Sequence, residues 1–431
     1  MNCESVSKAC GRKSTIINGS RNPAAQQKLH GVSQRSPVMT NRELFFRHLG
    51  QTSGFPLAIE ISHAEGVYLH SPSGMKYLDL ISGIGVSNLG HGHPEIVDAV
   101  KSQASKYMHL MVYGELIQSP QVLLAQKLCS LLPASLNNVY LVNSGAEATE
   151  GALKLAKRYT GRSQMICFRN AYHGSTHGAL SVGGNESLKR AFRPLLPGIK
   201  VLDFNNFEQL KAIDQNTACV IVEPIQGEAG ALPAQEGFLH ELRNACDRTG
   251  ALLIFDEIQS GFGRTGALWA FEHYGVVPDI LLLAKSMGGG MPIGAFVAPE
   301  GIMKSLTHSP VLGHITTFGG NAVCAAAALA HLTVVVQTKI WLQVYSKEQL
   351  FRKLLVHPQI RKVRGQGLML AVEYENFCKV KKVVDRCLEA GLLTDWFLFA
   401  DNCLRIAPPL IISEEQIQKA CEIILEASNG I

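Results

Sequence analysis

The chain has 431 residues, 46% of them hydrophobic, and a formal net charge of +5. That length and composition allow a large core and suggest two domains. The charge is uneven: residues 1–38 hold six basic residues and one acid, Glu4, while the rest balances 34 basic against 34 acidic residues, so the folded body offers no basic face for nucleic acid or an anionic membrane.

The first 38 residues are rich in Ser, Asn, Gln and basic residues and lack the apolar stretch of a secretory signal. Disorder is the default reading. A mitochondrial or plastid transit peptide, or a start at Met39, are alternatives that the sequence does not separate. Without a transit peptide the expected location is cytoplasmic. The eleven cysteines are scattered, with no CxxC, and several such as Cys167 and Cys219 lie in apolar runs. They read as reduced core thiols. No run reaches the ~18 apolar residues of a membrane span; the nearest, Ala322–Val336, is broken by His331 and Thr333.

From about Asn138 to Ala298 strands and helices alternate. Strands are expected at Val139–Val142, Gln164–Phe168, Ala218–Val222, Leu252–Phe255 and Ile280–Ala284, with helices at Ala146–Tyr159 and Gly237–Arg248. This predicts an α/β fold with a mostly parallel sheet wrapped by helices. Before ~95 and after ~335 the pattern shortens, as in the expected strand Val363–Tyr374, and the last helix opens with a capping box at Ser413–Gln416. The expected organisation is a tail over 1–40, a large domain over 96–335, and a smaller α+β domain built from 41–95 and 336–431.

Lys285 closes an apolar strand and opens onto Ser-Met-Gly-Gly-Gly-Met-Pro, a stretch suited to neither helix nor strand. An ammonium is costly to bury there, and burial lowers its pKa toward that of a nucleophilic amine. A lone lysine would more often reach for solvent. A second segment, Ala251–Gly266, changes the balance: Asp256 sits at the carboxyl end of its own buried strand, where open α/β sheets bind ligands. A lysine and an acid from two such ends are the minimum equipment for pyridoxal 5'-phosphate. The lysine forms a Schiff base with the aldehyde, and the carboxylate keeps the ring nitrogen protonated. Gly261-Phe-Gly-Arg-Thr-Gly266 has G-x-G-x-x-G spacing but does not open a helix directly after a strand, which argues against a dinucleotide.

Asn143-Ser-Gly-Ala-Glu-Ala148 joins a strand to a helix, and small residues at a helix start suit a phosphate. Tyr172 follows the next strand and can stack on a flat ring. His173/His177 and His91/His93 are close pairs, but no third ligand and no HExxH supports zinc. No G-x-S-x-G elbow is present.

Together these residues resemble the class III aminotransferases, the ω-aminotransferase group of fold-type I pyridoxal-phosphate enzymes. The resemblance runs from about Leu44 to the C-terminus and is most specific at Asn143–Ala148, Val222-Glu-Pro-Ile-Gln-Gly-Glu228, Phe255–Gly266, Lys285 and His314-Ile-Thr-Thr-Phe-Gly-Gly320. It implies that Lys285 binds the cofactor and shuttles the α-proton, that Asp256 pairs with the ring nitrogen, and that Gln259 bonds the phenolic oxygen. Ser144, Gly145 and Ala146 would hold the phosphate, Tyr172 the ring face, and Glu223 the pocket wall. Thr317 would reach the phosphate from the neighbouring subunit of a homodimer. Glu228 and Arg405 resemble a substrate gate: Arg405 grips a carboxylate, and Glu228 neutralises it when an amine without one enters.

The chain departs from the pattern at Ser175, where many members carry an arginine for a second carboxylate. At Ile84 ornithine-specific members carry tyrosine and acetylornithine-type members isoleucine. The donor amine therefore stays open. The expected reaction is ping-pong transfer from an ω-amine to a 2-oxo acid such as 2-oxoglutarate; a 1,2-aminomutase of the glutamate-semialdehyde type and a catalytically silent paralogue are the alternatives.

Overall fold

The computed structural model describes residues 39–111 and 115–431; the expectations for the first 38 residues lie outside them. The chain divides into two compact units at Ala58. In the first, helix α1 (Asn41–His48) opens with a capping box between Thr40 and Glu43, and Arg42 donates to the carbonyl of Ala58 at 2.7 Å.

The second unit is built on a seven-stranded sheet of order β4-β12-β11-β10-β7-β5-β6. Its strands are β4 (Asn138–Val142), β5 (Gln164–Phe168), β6 (Ile199–Leu202), β7 (Thr217–Val222), β10 (Leu252–Asp256), β11 (Ile280–Leu283) and β12 (Gly294–Ala298). Only β12 runs against its neighbours, pairing antiparallel with both β11 and β4. The strands read as unbroken apolar runs because both faces are covered: in β10, Leu252 and Ile254 enter one apolar cluster while Leu253 and Phe255 enter the other.

Helix α4 (Gly145–Thr160) follows β4 and lays Ala148, Ala152 and Leu155 against Ile254, Leu282 and Phe296. It lies close to the sheet: a Cβ at Gly151 would come within 2.2 Å of the Phe296 ring. Helices α2 (Pro94–Lys106), α3 (Ser119–Ser130), α5 (Phe238–Thr249) and α6 (Ala322–Thr338) complete the layers. Among the described residues no single helix is long and apolar enough to cross a membrane.

The two ends of this unit share structure. Strands β1 (His63–Glu65), β2 (Tyr68–His70) and β3 (Lys76–Asp79) form one sheet with β15 (Leu392–Leu393), which pairs parallel to β3. A second small sheet contains β13 (Lys362–Gln366), β14 (Met369–Glu373) and β16 (Cys403–Ile406). The single strand expected over Val363–Tyr374 is thus a hairpin. Its corner is Gly367, at φ +63°, pressed so closely on Arg264 and Thr265 that a Cβ would lie 2.5 Å from the Arg264 carbonyl. Helix α7 (Val344–Leu354), α8 (Phe377–Glu389) and α9 (Glu414–Ala427) close the unit, α9 with the expected Ser413/Gln416 capping box.

Arg264 ties these parts together from inside. Its guanidinium is fully buried and donates to the carbonyls of Leu368 (3.0 Å) and Pro408, to Ser82 Oγ (3.2 Å) and to Asn88 Oδ1 (2.5 Å). Among the described residues no carboxylate touches it, and burial lowers its pKa to about 9.

Candidate active site

A cavity of about 540 Å³ opens at the carboxyl ends of the central strands, where the topology of an open α/β sheet places ligands. Asp256 is the last residue of β10 and pairs in register with Leu282 of the adjacent parallel strand β11. Lys285 follows β11 by two residues, so two neighbouring strand ends deliver an acid and an amine to one crevice. The segment after Lys285, expected to be irregular, forms one 3-10 turn over Lys285–Gly288. Lys285 itself lies in the left-handed region at φ +47°, a conformation most side chains avoid. Burial lowers its pKa, against the pull of Glu228, Asp256 and Glu223.

Asp256 is held at both oxygens. Oδ1 accepts the Ile258 N–H at 3.0 Å, and Oδ2 lies 2.6 Å from Nδ1 of His173. A carboxylate can only accept, so His173 Nδ1 carries the proton of that bond. Burial disfavours the charged ring, but the Asp256 bond and the charges of Asp256 and Glu223 outweigh it and raise the pKa of His173. The other ring nitrogen, Nε2, is buried without a hydrogen-bond partner. The pairing of His173 with His177 seen in the sequence is therefore incidental, and the partner of His91 is Asp79 at 2.9 Å.

Glu223 accepts N–H groups from Tyr172 (3.0 Å) and Gly227 (2.9 Å). Burial pushes its pKa up to about 7 against the opposing charge of His173. Gln259 packs on Gly227 so closely that a Cβ there would lie 2.0 Å from its Oε1. Tyr172 and Ser175 both line the cavity, with their hydroxyls 3.1 Å apart.

The rim is the start of α4. Ser144 is the N-cap, its Oγ accepting the Glu147 N–H at 3.2 Å. The first-turn N–H groups of Gly145 and Ala146 precede the intrahelical ladder, so they face outward at the positive end of the helix. Neighbours press on this turn from three sides. A Cβ on Gly145 would meet Ile258 Cδ1 at 2.9 Å, one on Gly174 would meet Ala146 at 2.7 Å, and one on Gly294 would meet the Ser144 carbonyl at 2.5 Å.

This donor set fits a phosphorylated pyridine aldehyde. It offers a lysine of lowered pKa, a carboxylate braced for a ring nitrogen, and a glycine-shaped helix start for an anion.

Glu228 lines the cavity and pairs with Arg405 through both oxygens, at 3.0 and 3.1 Å. Arg405 also meets Asp395 at 2.8 Å, a partner absent from the sequence reading. Opposite charge from Arg405 lowers the Glu228 pKa even against burial, and its two carboxylate partners raise that of Arg405. Three expected positions are absent from the lining: Arg405, which meets the cavity only through its partner Glu228, and two others. Val86, not Ile84, lines the cavity. Thr317 is exposed and outside the lining, although its neighbour Thr316 accepts a bond from Asn143 at 3.0 Å.

Known proteins resemble the chain over most of its length. The family model described as aminotransferase class-III matches residues 50–427. An acetylornithine aminotransferase from Methanopyrus kandleri is 39% identical over 90% of this chain and 99% of the relative. A LysW-aminoadipate semialdehyde/glutamate semialdehyde transaminase from Sulfurisphaera tokodaii is 41% identical over 84% of this chain and 92% of its own length. Among solved structures, the ornithine aminotransferase of Toxoplasma gondii superposes with a TM-score of 0.82 at 31% identity, covering 90% of this chain and 93% of that one.

Proposed function

This chain belongs to the class-III aminotransferase family, and from that premise we propose that it moves the amino group of an ω-amine to a 2-oxo acid in two half-reactions. It is a pyridoxal-phosphate-dependent enzyme of fold type I. The observation that carries the reading is the delivery of Asp256 and Lys285 to one cavity by adjacent strands, under the open helix start at Ser144–Ala146.

When bound, pyridoxal phosphate supplies a carbonyl carbon that takes up the amino group and a ring that accepts electrons. In this reading Ser144, Gly145 and Ala146 hold its phosphate, Tyr172 covers the ring face, and Gln259 bonds the phenolic oxygen. Asp256, braced by His173, keeps the ring nitrogen protonated. Glu223 closes the wall behind Tyr172. Lys285 would anchor the cofactor through Nζ, and when that amine is free it would carry the proton away from the amine-bearing carbon. Its lowered pKa suits that task, because an amine must shed its proton before it can accept another.

Arg405 is the anchor for the carboxylate of the 2-oxo acid, and Glu228 covers it while the amine is in place. The relatives' names point to ω-amines of ornithine-like length, acetylated or as semialdehyde products. Ser175 offers no cation for a second carboxylate, so the donor is selected by the rest of the wall.

The working unit is a homodimer. Met108, Met111, Ile117, Ile315 and Phe318 are exposed apolar residues, and the first and last of these stretches meet where Asn321 donates to the Met108 carbonyl and the His109 and Phe318 rings lie 4.8 Å apart, as expected of a surface that a second copy covers. Thr317, outside its own cavity, would then reach that of the other copy. The smaller domain read from 41–95 and 336–431 finds support, for residues 59–95, in the pairing of β3 with β15. A reducing compartment such as the cytoplasm suits the free cysteines.

The test is transfer itself. Purified enzyme with pyridoxal phosphate, an ¹⁵N-labelled ω-amine and 2-oxoglutarate should yield ¹⁵N-glutamate, and Lys285→Ala should yield none. Label retained on the donor skeleton would mean an aminomutase instead.

A further inference from the structure

Arg405 has two carboxylate partners, and they are held in different ways. Glu228 takes the fork, Oε1 from Nη1 and Oε2 from Nη2. Asp395 takes Nε, at 2.8 Å. Glu228 stands in the turn between β8 (Ile225–Gln226) and β9 (Leu232–Pro233), with glycines at 227 and 230, and its side chain faces the cavity. Apart from Arg405, one N–H, that of Leu398 at 3.1 Å, holds its carboxylate.

Asp395 belongs to a segment locked onto the arginine's own strand. The Arg405 N–H donates to the Asp395 carbonyl at 2.9 Å, Trp396 and Leu404 form an antiparallel bridge, and Thr394 Oγ1 donates to the Arg405 carbonyl at 2.6 Å. The same segment supplies the Trp396 carbonyl to Nη2 at 3.3 Å and the Phe397 ring 4.4 Å from the guanidinium carbon. Asp395 does not line the cavity.

We propose that Asp395 is the positioning residue of this gate: it keeps Arg405 in place by Nε while the fork exchanges Glu228 for the carboxylate of the 2-oxo acid. This rests on the reading of Arg405 as the acceptor's anchor. Between the departure of Glu228 and the arrival of the substrate, Arg405 would otherwise be a buried cation without a counter-charge, a costly state. With Asp395 fixed, the guanidinium stays paired throughout. The fork also keeps the orientation that bidentate binding of a carboxylate requires. Asp395 touches no substrate, so its effect falls on the half-reaction in which a carboxylate must be gripped.

The experiment titrates glutarate, a dicarboxylate that cannot be aminated, into holoenzyme by calorimetry and measures the two half-reactions separately by stopped flow. Asp395→Ala should weaken glutarate by about tenfold or more and lower kcat/KM for 2-oxoglutarate by a similar factor, as loss of a charged hydrogen bond implies. The half-reaction with a simple monoamine should change by less than about twofold, since it needs no grip on a carboxylate. Asp395→Asn keeps an acceptor for Nε and should fall between wild type and Ala, on the acceptor side only; it also carries the test if the alanine variant does not fold. Equal losses in both half-reactions, or unchanged glutarate binding in both variants, would overturn the proposal. Arg405→Ala separates the premise: if it binds glutarate as wild type does, the anchor reading itself is wrong. If it loses glutarate while Asp395→Ala does not, only the positioning role fails.

Discussion

The Asp256 carboxylate lies 2.6 Å from Nδ1 of His173, and both side chains are buried. The bond occupies one oxygen of Asp256 with the ring N–H of His173, while Asp256 itself lines the cavity. Asp256→Ala should therefore reduce amino transfer by about 10²–10³-fold, the usual cost of losing a buried charge-stabilising group. His173→Asn can still donate to Asp256 but brings no charge, and should cost about tenfold with cofactor content unchanged. Steady-state kcat together with bound pyridoxal phosphate per chain checks both.

Glu228→Ala exposes the fork of Arg405 to the cavity at all times. Transfer from an amine without a far-end carboxylate should slow by about tenfold, because the approaching ammonium meets an uncovered guanidinium. The half-reaction with 2-oxoglutarate should be unchanged or faster. Stability should fall by less than the ~3–5 kcal/mol typical of breaking a buried pair, since Asp395 still neutralises Arg405. Urea unfolding and single-turnover rates distinguish these outcomes.

Glu257 is wholly buried, next in sequence to Asp256, and accepts the N–H groups of Ala270 and Phe271, each at 2.6 Å, with no ion-pair partner among the described residues. Burial pushes its pKa from 4.5 up to about 8. Between those values the unfolded chain has released a proton that the folded chain retains, so stability falls as pH rises through this window and levels off above it. Glu257→Gln cannot titrate and should remove that slope. It also leaves one backbone N–H unmatched, so the variant is less stable by about 1–3 kcal/mol at pH 5, and the order reverses by pH 8 because only the wild type loses stability across the window. Thermal unfolding across that range checks the sign.

Ile117 is 96% exposed and Phe318 55% exposed. If a second copy covers them, Ile117→Asp combined with Phe318→Asp should give a monomer by sedimentation and lower cofactor retention by about tenfold or more, because burying unpaired charge opposes association. A monomer that retains full activity would remove Thr317 from the site.

The central sheet was legible because its strands are covered on both faces, so Leu252–Phe255 and Ile280–Leu283 stand out as unbroken apolar runs. Lys285 and Asp256 were legible for the same reason: a charged residue at the end of such a run is conspicuous. The hairpin at Gly367 was hidden because its first arm, Lys362–Gln366, is largely polar and carries no apolar run that would set it apart from Met369–Glu373. Asp395 was hidden because its partner Arg405 is brought to it by the antiparallel bridge between Trp396 and Leu404, and nothing in Thr-Asp-Trp-Phe marks it. His173 was visible only as half of a spurious histidine pair; its real partner is 83 residues away.

The residues that line the cavity all fall between Val86 and Ile293, while Asp395, Arg405 and the two carbonyls that hold Arg264 come after residue 367. A ribosome therefore completes the whole cavity wall before it has made the cation that balances Glu228 or the acceptors that satisfy Arg264. The last stretch of the chain to be made thus brings the counter-charge of Glu228 and two of the four acceptors of Arg264, so both buried charges are fully paired only when translation is nearly complete.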